Sequence, residues 1–489
     1  MQIILLKTTP EEAFWHIKDH RQAFWLDSGR GDTERSRYSI LGAEPVCTFI
    51  IDAKGKSSFI AHKVKCNSDK GLDNPTIDSQ VGAQLLNGDY PLEALSALLK
   101  YRSAQFDAAL KRWDHKCEAA PSLPFISGGV GYLSYEARHL VEKLPSKAIN
   151  DAEIPWGRFD FYNWCYVYDH VCAQGYLVSP FEEEDLSEWR EILSGIAEIE
   201  VSSGPFIASE PVSNMNQATY TQAIDAIKGY IASGDIYQIN MTQRFSADAI
   251  GDPLSLYYQL RAINPAPFGA YLRYPDFQVL CSSPERFIKV DSGIIETRPI
   301  KGTVPRDANP AKDLENINWL QSSAKDRSEL LMIVDLERND LSKVAAKGTV
   351  QVPELFVIES YPTVHHLVST VTAKLAHHTD LVDVIRATFP GGSITGTPKI
   401  RAMEIIDCLE PTARNLYTGA IGYLSDSGNL DLNIVIRTIV YQNDKYYYQV
   451  GGGIVWDSQT QSEYEECFHK AKALVNALKG QGVQWEQSP

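Results

Sequence analysis

Beyond residue 277, strand-like runs (277–281, 292–299, 418–424, 431–441, 446–455) alternate irregularly with helical stretches (313–338, 379–388, 398–409, 462–478). Parallel strands need a crossover, usually helical, between neighbours. An order without that regularity favours an α+β body of large antiparallel sheets with helices packed on their outer faces. The first 200 residues read similarly, with strand-like runs at Tyr38–Leu41, Val46–Ile51 and Phe159–Tyr168 among helical stretches around 92–101 and 184–199. Gly128-Gly129-Val130-Gly131 reads as a strand with close backbone packing rather than a ligand loop. No sequence period of about 20–50 residues recurs, so a repeat architecture is excluded.

Turn and breaker residues gather between Val201 and Asn214, which separates an N-terminal region, 1–200, from a second region, 216–480. The second opens with a helix whose apolar positions are Tyr220, Ala223, Ile224, Ile227 and Ile231, and Gly234 stands where a C-terminal cap belongs.

With 46 Lys+Arg against 62 Asp+Glu, the net charge of −16 repels nucleic acid and anionic membranes. An anionic substrate then has to be held by a few local cations. No apolar run approaches the about 20 residues of a membrane span and no basic leader precedes the first strand, so a cytosolic protein is expected. The eight cysteines (47, 66, 117, 165, 172, 281, 408, 467) include no C-x-x-C pair, which argues against disulfides and zinc. None lies in a G-x-C-x-G elbow, so this type of glutaminase nucleophile is missing.

The candidate chemistry lies in the second region. Ser283-Pro284-Glu285-Arg286 puts a carboxylate at a strand end, where a surface ion pair with Arg286 is the simpler reading. In Pro299-Ile300-Lys301-Gly302-Thr303 the lysine is either a solvated charge or an amine nucleophile, and the second role needs its pKa lowered. Asp326 and Glu329, at i and i+3, share the helix side of Ile333 and Leu336.

On the last helix Tyr464, Cys467, Ala471, Leu474, Val475 and Leu478 form an apolar face, with Glu463, Glu466 and Lys470 along one border. That border suits the wall of a polar pocket, or simply a Glu466–Lys470 salt bridge. Gly391–Lys399 imitates a phosphate loop, with Thr397 as N-cap and Pro398 at the first helical position. It lacks the Lys-Ser/Thr that must follow the second glycine, so an NTPase is rejected, while its free N–H groups remain suited to a carboxylate. The glycines Gly451, Gly452 and Gly453 lie in a strand that a ligand can approach closely, and Arg437 is assigned to the preceding strand as a carboxylate fork.

Together, Gly234-Asp235-Ile236-Tyr237-Gln238, Ser283-Pro284-Glu285, Met332-Ile333-Val334-Asp335-Leu336, Arg338-Asn339-Asp340, Gly396-Thr397-Pro398-Lys399 and Gly451-Gly452-Gly453 resemble the chorismate-binding family. That family includes the anthranilate, aminodeoxychorismate, isochorismate and salicylate synthases. The resemblance covers about 216–480 in one motif order and implies the chorismate-utilising enzyme fold. Within the family, the run around Lys301 looks like the aminodeoxychorismate synthases, because anthranilate synthases typically carry Ala there. Gln238 stands where isochorismate and salicylate synthases place a water-activating lysine, which argues against water as nucleophile.

The resemblance implies Lys301 as covalent nucleophile and Glu285 as general acid. It implies Mg2+ held by Glu329 and Glu466, with Glu463 and Asp326 near it. Arg437, Tyr417, Lys470, Thr395 and the Gly451–Gly453 backbone would hold substrate, with Gln238 and His366 lining its pocket. Ammonia would come from a separate glutaminase subunit. The N-terminal region would pack on the catalytic one, and Ser28, Tyr38, Ser39, Pro265 and Phe268 mark a tryptophan pocket of relatives, here regulatory, permanently filled or mere packing. The nearest rival is anthranilate synthase component I. A rival from another class is a non-catalytic amino-acid sensor or scaffold, which would have lost the metal carboxylates or Lys301.

Overall fold

The computed structural model describes residues 1–29, 36–62, 81–113 and 122–481; Cys66 and Cys117 lie outside them. Among the described residues the strands form a 12-stranded and an 11-stranded sheet, and every strand pair in them is antiparallel. The first runs from Gln2–Leu6 through Gln174–Ser179, Cys165–Asp169, Tyr38–Gly42 and Phe24–Asp27. It continues directly into Phe268–Arg273, Gln278–Ser283, Thr438–Gln442, Lys445–Ile454 and Gln238–Asp248. The second runs from Ile300–Pro305 through Val364–Lys374, Ile294–Thr297, Arg286–Asp291, Leu430–Asn433 and Ala420–Ser425, then into Gly128–Leu133, Gly157–Tyr162, Cys47–Ile51 and Ser57–Ala61. Strands before residue 200 and after residue 210 therefore share both sheets.

The sheets stack face to face on a core that includes Ala270, Val279 and Cys281 from one and Val130, Ile421 and Tyr423 from the other. Helices cover the outer faces. Phe14, Ile224, Leu260, Met403 and Leu474 pack on the first sheet, and Leu95, Leu320, Val334 and Ile385 on the second. This four-layer order follows from the apolar stripes. Helix Thr460–Leu478 buries Cys467, Ala471, Leu474, Ala477 and Leu478, and a fully buried leucine side chain contributes about 1.5–3 kcal/mol. Gly128–Leu133 is buried at every position, and a Cβ on Gly131 would collide with the Arg158 carbonyl of the neighbouring strand, so close backbone packing accounts for its glycines. Gly234, at φ +81°, follows helix Gln217–Ala232 in the left-handed conformation of a C-terminal cap.

Several sequence-based element assignments change. The helical run 313–338 is two helices, Pro310–Ser322 and Ala324–Ser342, because Ser323 leaves helical geometry and its hydroxyl accepts from the Asp326 N–H. Phe159–Tyr168 and 431–441 each divide into two strands that belong to different sheets, so the chain crosses between layers within each run. Thr397 is not an N-cap. It pairs with Gln238 as a short strand, and the helix begins at Lys399 with Pro398 in the capping position. Of the described cysteines, 47, 165, 172, 281, 408 and 467 are free thiols. No described helix is long and apolar enough to cross a membrane.

Candidate active site

Two crossings between the sheets build one wall. Glu285 lies where the chain leaves Gln278–Ser283 for Arg286–Asp291, and Arg437 where it leaves Leu430–Asn433 for Thr438–Gln442. The crossings bond to each other: Ile434 N–H donates to the Glu285 carbonyl at 3.0 Å, and Ser282 N–H to the Arg437 carbonyl at 3.2 Å. Arg437 is therefore outside the strand assigned from sequence, at φ +50°. The Glu285–Arg286 surface pair is also absent. Arg286 binds Glu296 at 2.7 Å and Asp431 at 2.9 Å, while Glu285 is 5% exposed. Burial raises the pKa of Glu285; Ser393, Lys301 and Arg437 pull it back. Burial lowers that of Arg437, whose guanidinium reaches Asn264 Oδ1 at 3.5 Å and makes no salt bridge to a described carboxylate.

Lys301 sits at the start of Ile300–Pro305, beside a bulge. Lys301 and Thr303 pair with the consecutive residues Leu367 and His366, leaving Gly302 as the extra residue at φ +76°. A Cβ there would stand 2.7 Å from Leu320 and 2.9 Å from Asp326, so glycine is required by both space and backbone. Burial lowers the pKa of the Lys301 amine, against the pull of Glu329 and Glu285. His366 Nδ1 is 2.8 Å from Thr303 Oγ1, and burial drives His366 down to about 3, so its ring is neutral with a buried Nε2 that no described protein group hydrogen-bonds.

The Gly391–Thr397 loop lies against this pair. Gly392 N–H donates to Glu337 Oε1 at 3.0 Å, and the Thr395 hydroxyl donates to the carbonyls of Gly391 and Gly392 at 3.0 and 3.3 Å. Thr395 is thus tied to its own loop. Lys301 Nζ donates to the Ser393 carbonyl at 3.3 Å. Ser393, Glu337 and Asn264 escaped the sequence reading, since their roles arise only when the loop and crossings meet. The serine's position inside a glycine-rich turn was the single available signal.

The Gly451–Gly453 strand forms the opposite side. A methyl on Gly453 would stand 2.5 Å from Gln238 Nε2 and 3.5 Å from Lys301 Nζ, and one on Gly452 3.4 Å from Lys470 Nζ, 3.5 Å from Glu463 Oε2 and 3.6 Å from Glu466 Oε1. Gly452 and Gly453 therefore face the site, whereas Gly451 presses on Met241 and Thr242 and gives its carbonyl to Lys470 at 2.9 Å. The Glu466–Lys470 pair exists at 2.7 Å; burial opposes ionisation of Glu466, but Lys470 and Lys325 hold its pKa below the usual value. Burial raises Glu329, whose side chain is 14% exposed; Lys301 and Lys325 counter this, and Asp326 and Glu463 reinforce it.

No three described His, Cys, Asp or Glu side chains converge as a metal cage by themselves. The donors present are nonetheless all hard carboxylate oxygens from two facing helices. That set fits Mg2+, which takes one or two protein carboxylates together with substrate oxygens and water.

Tyr417 lies beside Arg414 and Asn240, and burial raises its pKa. A separate cavity of about 400 Å3 is lined by Ser28, Tyr38 and Phe268 together with Arg37, Lys289 and Asp291. Ser39 and Pro265 do not line it. The Ser39 hydroxyl is occupied by Asp27 at 3.2 Å and His170 at 2.8 Å, and Pro267 takes the place expected for Pro265.

Residues 73–476 match the sequence model of the family described as chorismate binding enzyme. Aminodeoxychorismate synthase component 1 of Escherichia coli K12 is 40% identical over 457 residues, covering 94% of this chain and 93% of the relative. That of Klebsiella aerogenes is 45% identical over 364 residues, 73% of this chain and 79% of the relative. Among solved structures, anthranilate synthase component I of Streptococcus pneumoniae TIGR4 superposes with a TM-score of 0.71 at 28% identity, covering 90% of this chain and 93% of the other.

Proposed function

The chain belongs to the chorismate binding enzymes, and from that premise we propose that it aminates chorismate to 4-amino-4-deoxychorismate, on the way to p-aminobenzoate and folate. The observation that carries this reading is the buried Lys301 amine sharing its pocket with the buried Glu285 carboxyl. A low-polarity site favours the neutral form of both, which is the form each needs: an amine with a free electron pair and an acid with a proton to give.

In the proposed reaction Lys301 Nζ bonds to C2 of chorismate as the ring double bonds shift and the C4–O bond breaks. Glu285 gives its proton to the departing hydroxyl, which leaves as water. Ammonia then bonds to C4, the double bonds shift back, and the C2–Nζ bond breaks to restore the lysine. Arg437, largely buried and in salt-bridge contact with no described carboxylate, is suited to a substrate carboxylate, and Lys470 and the Gly452 and Gly453 backbone to the other end of the substrate. Glu329, Glu463 and Glu466 would hold Mg2+, which when bound supplies positive charge against the developing negative charge of the substrate. His366 and Gln238 would border the ring, and Thr395 and Tyr417 are kept as candidates for holding substrate.

The glutamine-derived ammonia is assigned to a separate glutaminase subunit, as the missing cysteine elbow and the component 1 name of the relatives suggest. The cavity near Tyr38 and Phe268 offers charges of both signs around apolar walls, as an amino acid such as tryptophan requires, and calorimetric titration with tryptophan tests that assignment. For the reaction, the purified chain is incubated with chorismate, Mg2+ and ammonium, and the product identified by mass and chromatography. 4-Amino-4-deoxychorismate is expected. Anthranilate as product would move the chain to the anthranilate synthases, and glutamine is expected to replace ammonium only when a glutaminase subunit is added.

A further inference from the structure

Lys399, which comes too late in Gly391–Lys399 to serve a phosphate loop, is turned inward. Its side chain is 12% exposed, and its three N–H protons meet three acceptors: the Thr388 carbonyl at 2.8 Å, the Pro390 carbonyl at 2.7 Å and the Asp340 carboxylate. Thr388 and Pro390 lead directly into the Gly391–Thr395 turn. Asp340 belongs to helix Ala324–Ser342, as does Glu337, whose Oε1 takes the Gly392 N–H at 3.0 Å. These two buried carboxylates, at i and i+3, share one side of that helix. The turn is therefore fastened to the helix twice, at Pro390 through Lys399 and at Gly392 through Glu337. Its Ser393 carbonyl then accepts from Lys301 Nζ at 3.3 Å, and Glu329 stands about two turns before Glu337 on the same helix.

We propose that Lys399 is a positioning residue: by clamping the Thr388 and Pro390 carbonyls to Asp340, it sets where the turn presents the Ser393 carbonyl to the Lys301 amine. The inference rests on the reading of Lys301 given above. A buried ion pair contributes little net stability compared with apolar side chains of the same volume, whereas three N–H groups aimed at three acceptors fix a direction in space. The turn is also tightly wedged. A Cβ on Gly391 would stand 2.7 Å from Ile434, and one on Gly392 2.7 Å from Leu336 and 2.8 Å from Glu337, so a shift at Pro390 is passed on to Ser393. The amine then meets its substrate carbon off line, which slows bond formation more than it weakens substrate binding.

Lys399→Cys removes the three donors, while Asp340 keeps Lys343 at 2.9 Å, so the variant is expected to fold. Its kcat for chorismate consumption with ammonium and Mg2+ is expected to fall about tenfold to 100-fold, with KM for chorismate within about threefold, as for a displacement of up to ~1 Å. Alkylation with 2-bromoethylamine, confirmed by mass, rebuilds an ammonium at lysine length and is expected to return kcat to within about threefold of a parent treated likewise. Iodoethane, which leaves an apolar arm of similar length, is expected to restore nothing. Lys399→Arg keeps the charge, but its planar guanidinium cannot serve three acceptors around one nitrogen, so kcat is expected to fall at least about fivefold in a chain that melts close to the parent. A readout without substrate is the Lys301 Nζ signal of the 15N-lysine-labelled chain, assigned through Lys301→Ala. It is expected to move in Lys399→Arg, because the bond to the Ser393 carbonyl is disturbed. Consumption is followed whichever product forms, so anthranilate as product would correct the proposed reaction and leave this inference standing. Parental kcat in Lys399→Arg, an unmoved Lys301 signal, or an aminoethylated Cys variant that stays slow overturns the inference.

Discussion

Lys301 and Glu285 feel each other's charge in one buried space, yet they form no salt bridge, and burial drives the amine down and the carboxyl up. An ion pair would hold both in the wrong state, a protonated nucleophile and an ionised acid. The separation is therefore as important as the proximity, and it depends on the bulge at Gly302 and on the Gly391–Thr395 turn.

Replacing Gly302 by Ala tests the bulge. At φ +76° a Cβ costs about 1–2 kcal/mol, and it would press on Leu320 and Asp326. Urea unfolding is expected to show a loss of that order. A displacement of Lys301 by ~1 Å would reduce kcat by about 100-fold. A variant with parental kcat would mean that the bulge does not position the lysine.

The acidic side of the site is tested with Glu329→Gln and Glu466→Gln. Each removes a charged oxygen, so the Mg2+ concentration for half-maximal turnover is expected to rise at least about tenfold while far-ultraviolet circular dichroism stays unchanged. Glu466→Gln also releases Lys470 from its 2.7 Å pair, an exposed contact worth only about 0–1 kcal/mol, so its melting temperature is expected to change little. Unaltered Mg2+ dependence in both variants would reduce these carboxylates to helix-surface charges.

A stability prediction comes from Glu136, a buried carboxyl in the turn Tyr135–Leu140. Burial pushes its carboxyl up from 4.5 to about 7, with Arg138 only partly offsetting it. A carboxyl with a folded pKa above its unfolded value binds more protons when folded, so stability falls as pH rises from about 4.5 to about 7. Glu136→Gln removes that penalty. It is expected to be more stable than the parent at pH 8, on the order of 1–3 kcal/mol, with no advantage at pH 4. Denaturant titrations at the two pH values measure this, and equal differences at both would contradict it.

The sheet architecture was legible because period and order are local properties. So was the border of the last helix, where Glu463, Glu466 and Lys470 emerge together from the 3.6-residue repeat. Arg437 was misassigned because the strand-like run around it continues in composition while the chain changes sheets, and nothing local marks a crossing. The helix break at Ser323 was missed since the apolar pattern runs across it, although a serine three residues before Asp326 is a capping signal. Thr397 resembled an N-cap until Gln238, far away in sequence, claimed it as a strand partner. Ser393 was not singled out for the same reason: its carbonyl meets Lys301 only through tertiary structure.

The most direct test of the account is the mass of the intact chain after incubation with chorismate and Mg2+ in the absence of ammonia. The first displacement then proceeds without its preferred second nucleophile, and only slow attack by water competes. An adduct with the mass of chorismate less water is expected, mapped by peptide sequencing to Lys301, absent from Lys301→Ala, and discharged as 4-amino-4-deoxychorismate when ammonium is added. Full product formation by the Ala variant at low ammonium, with no adduct in the parent, would contradict a covalent role for Lys301.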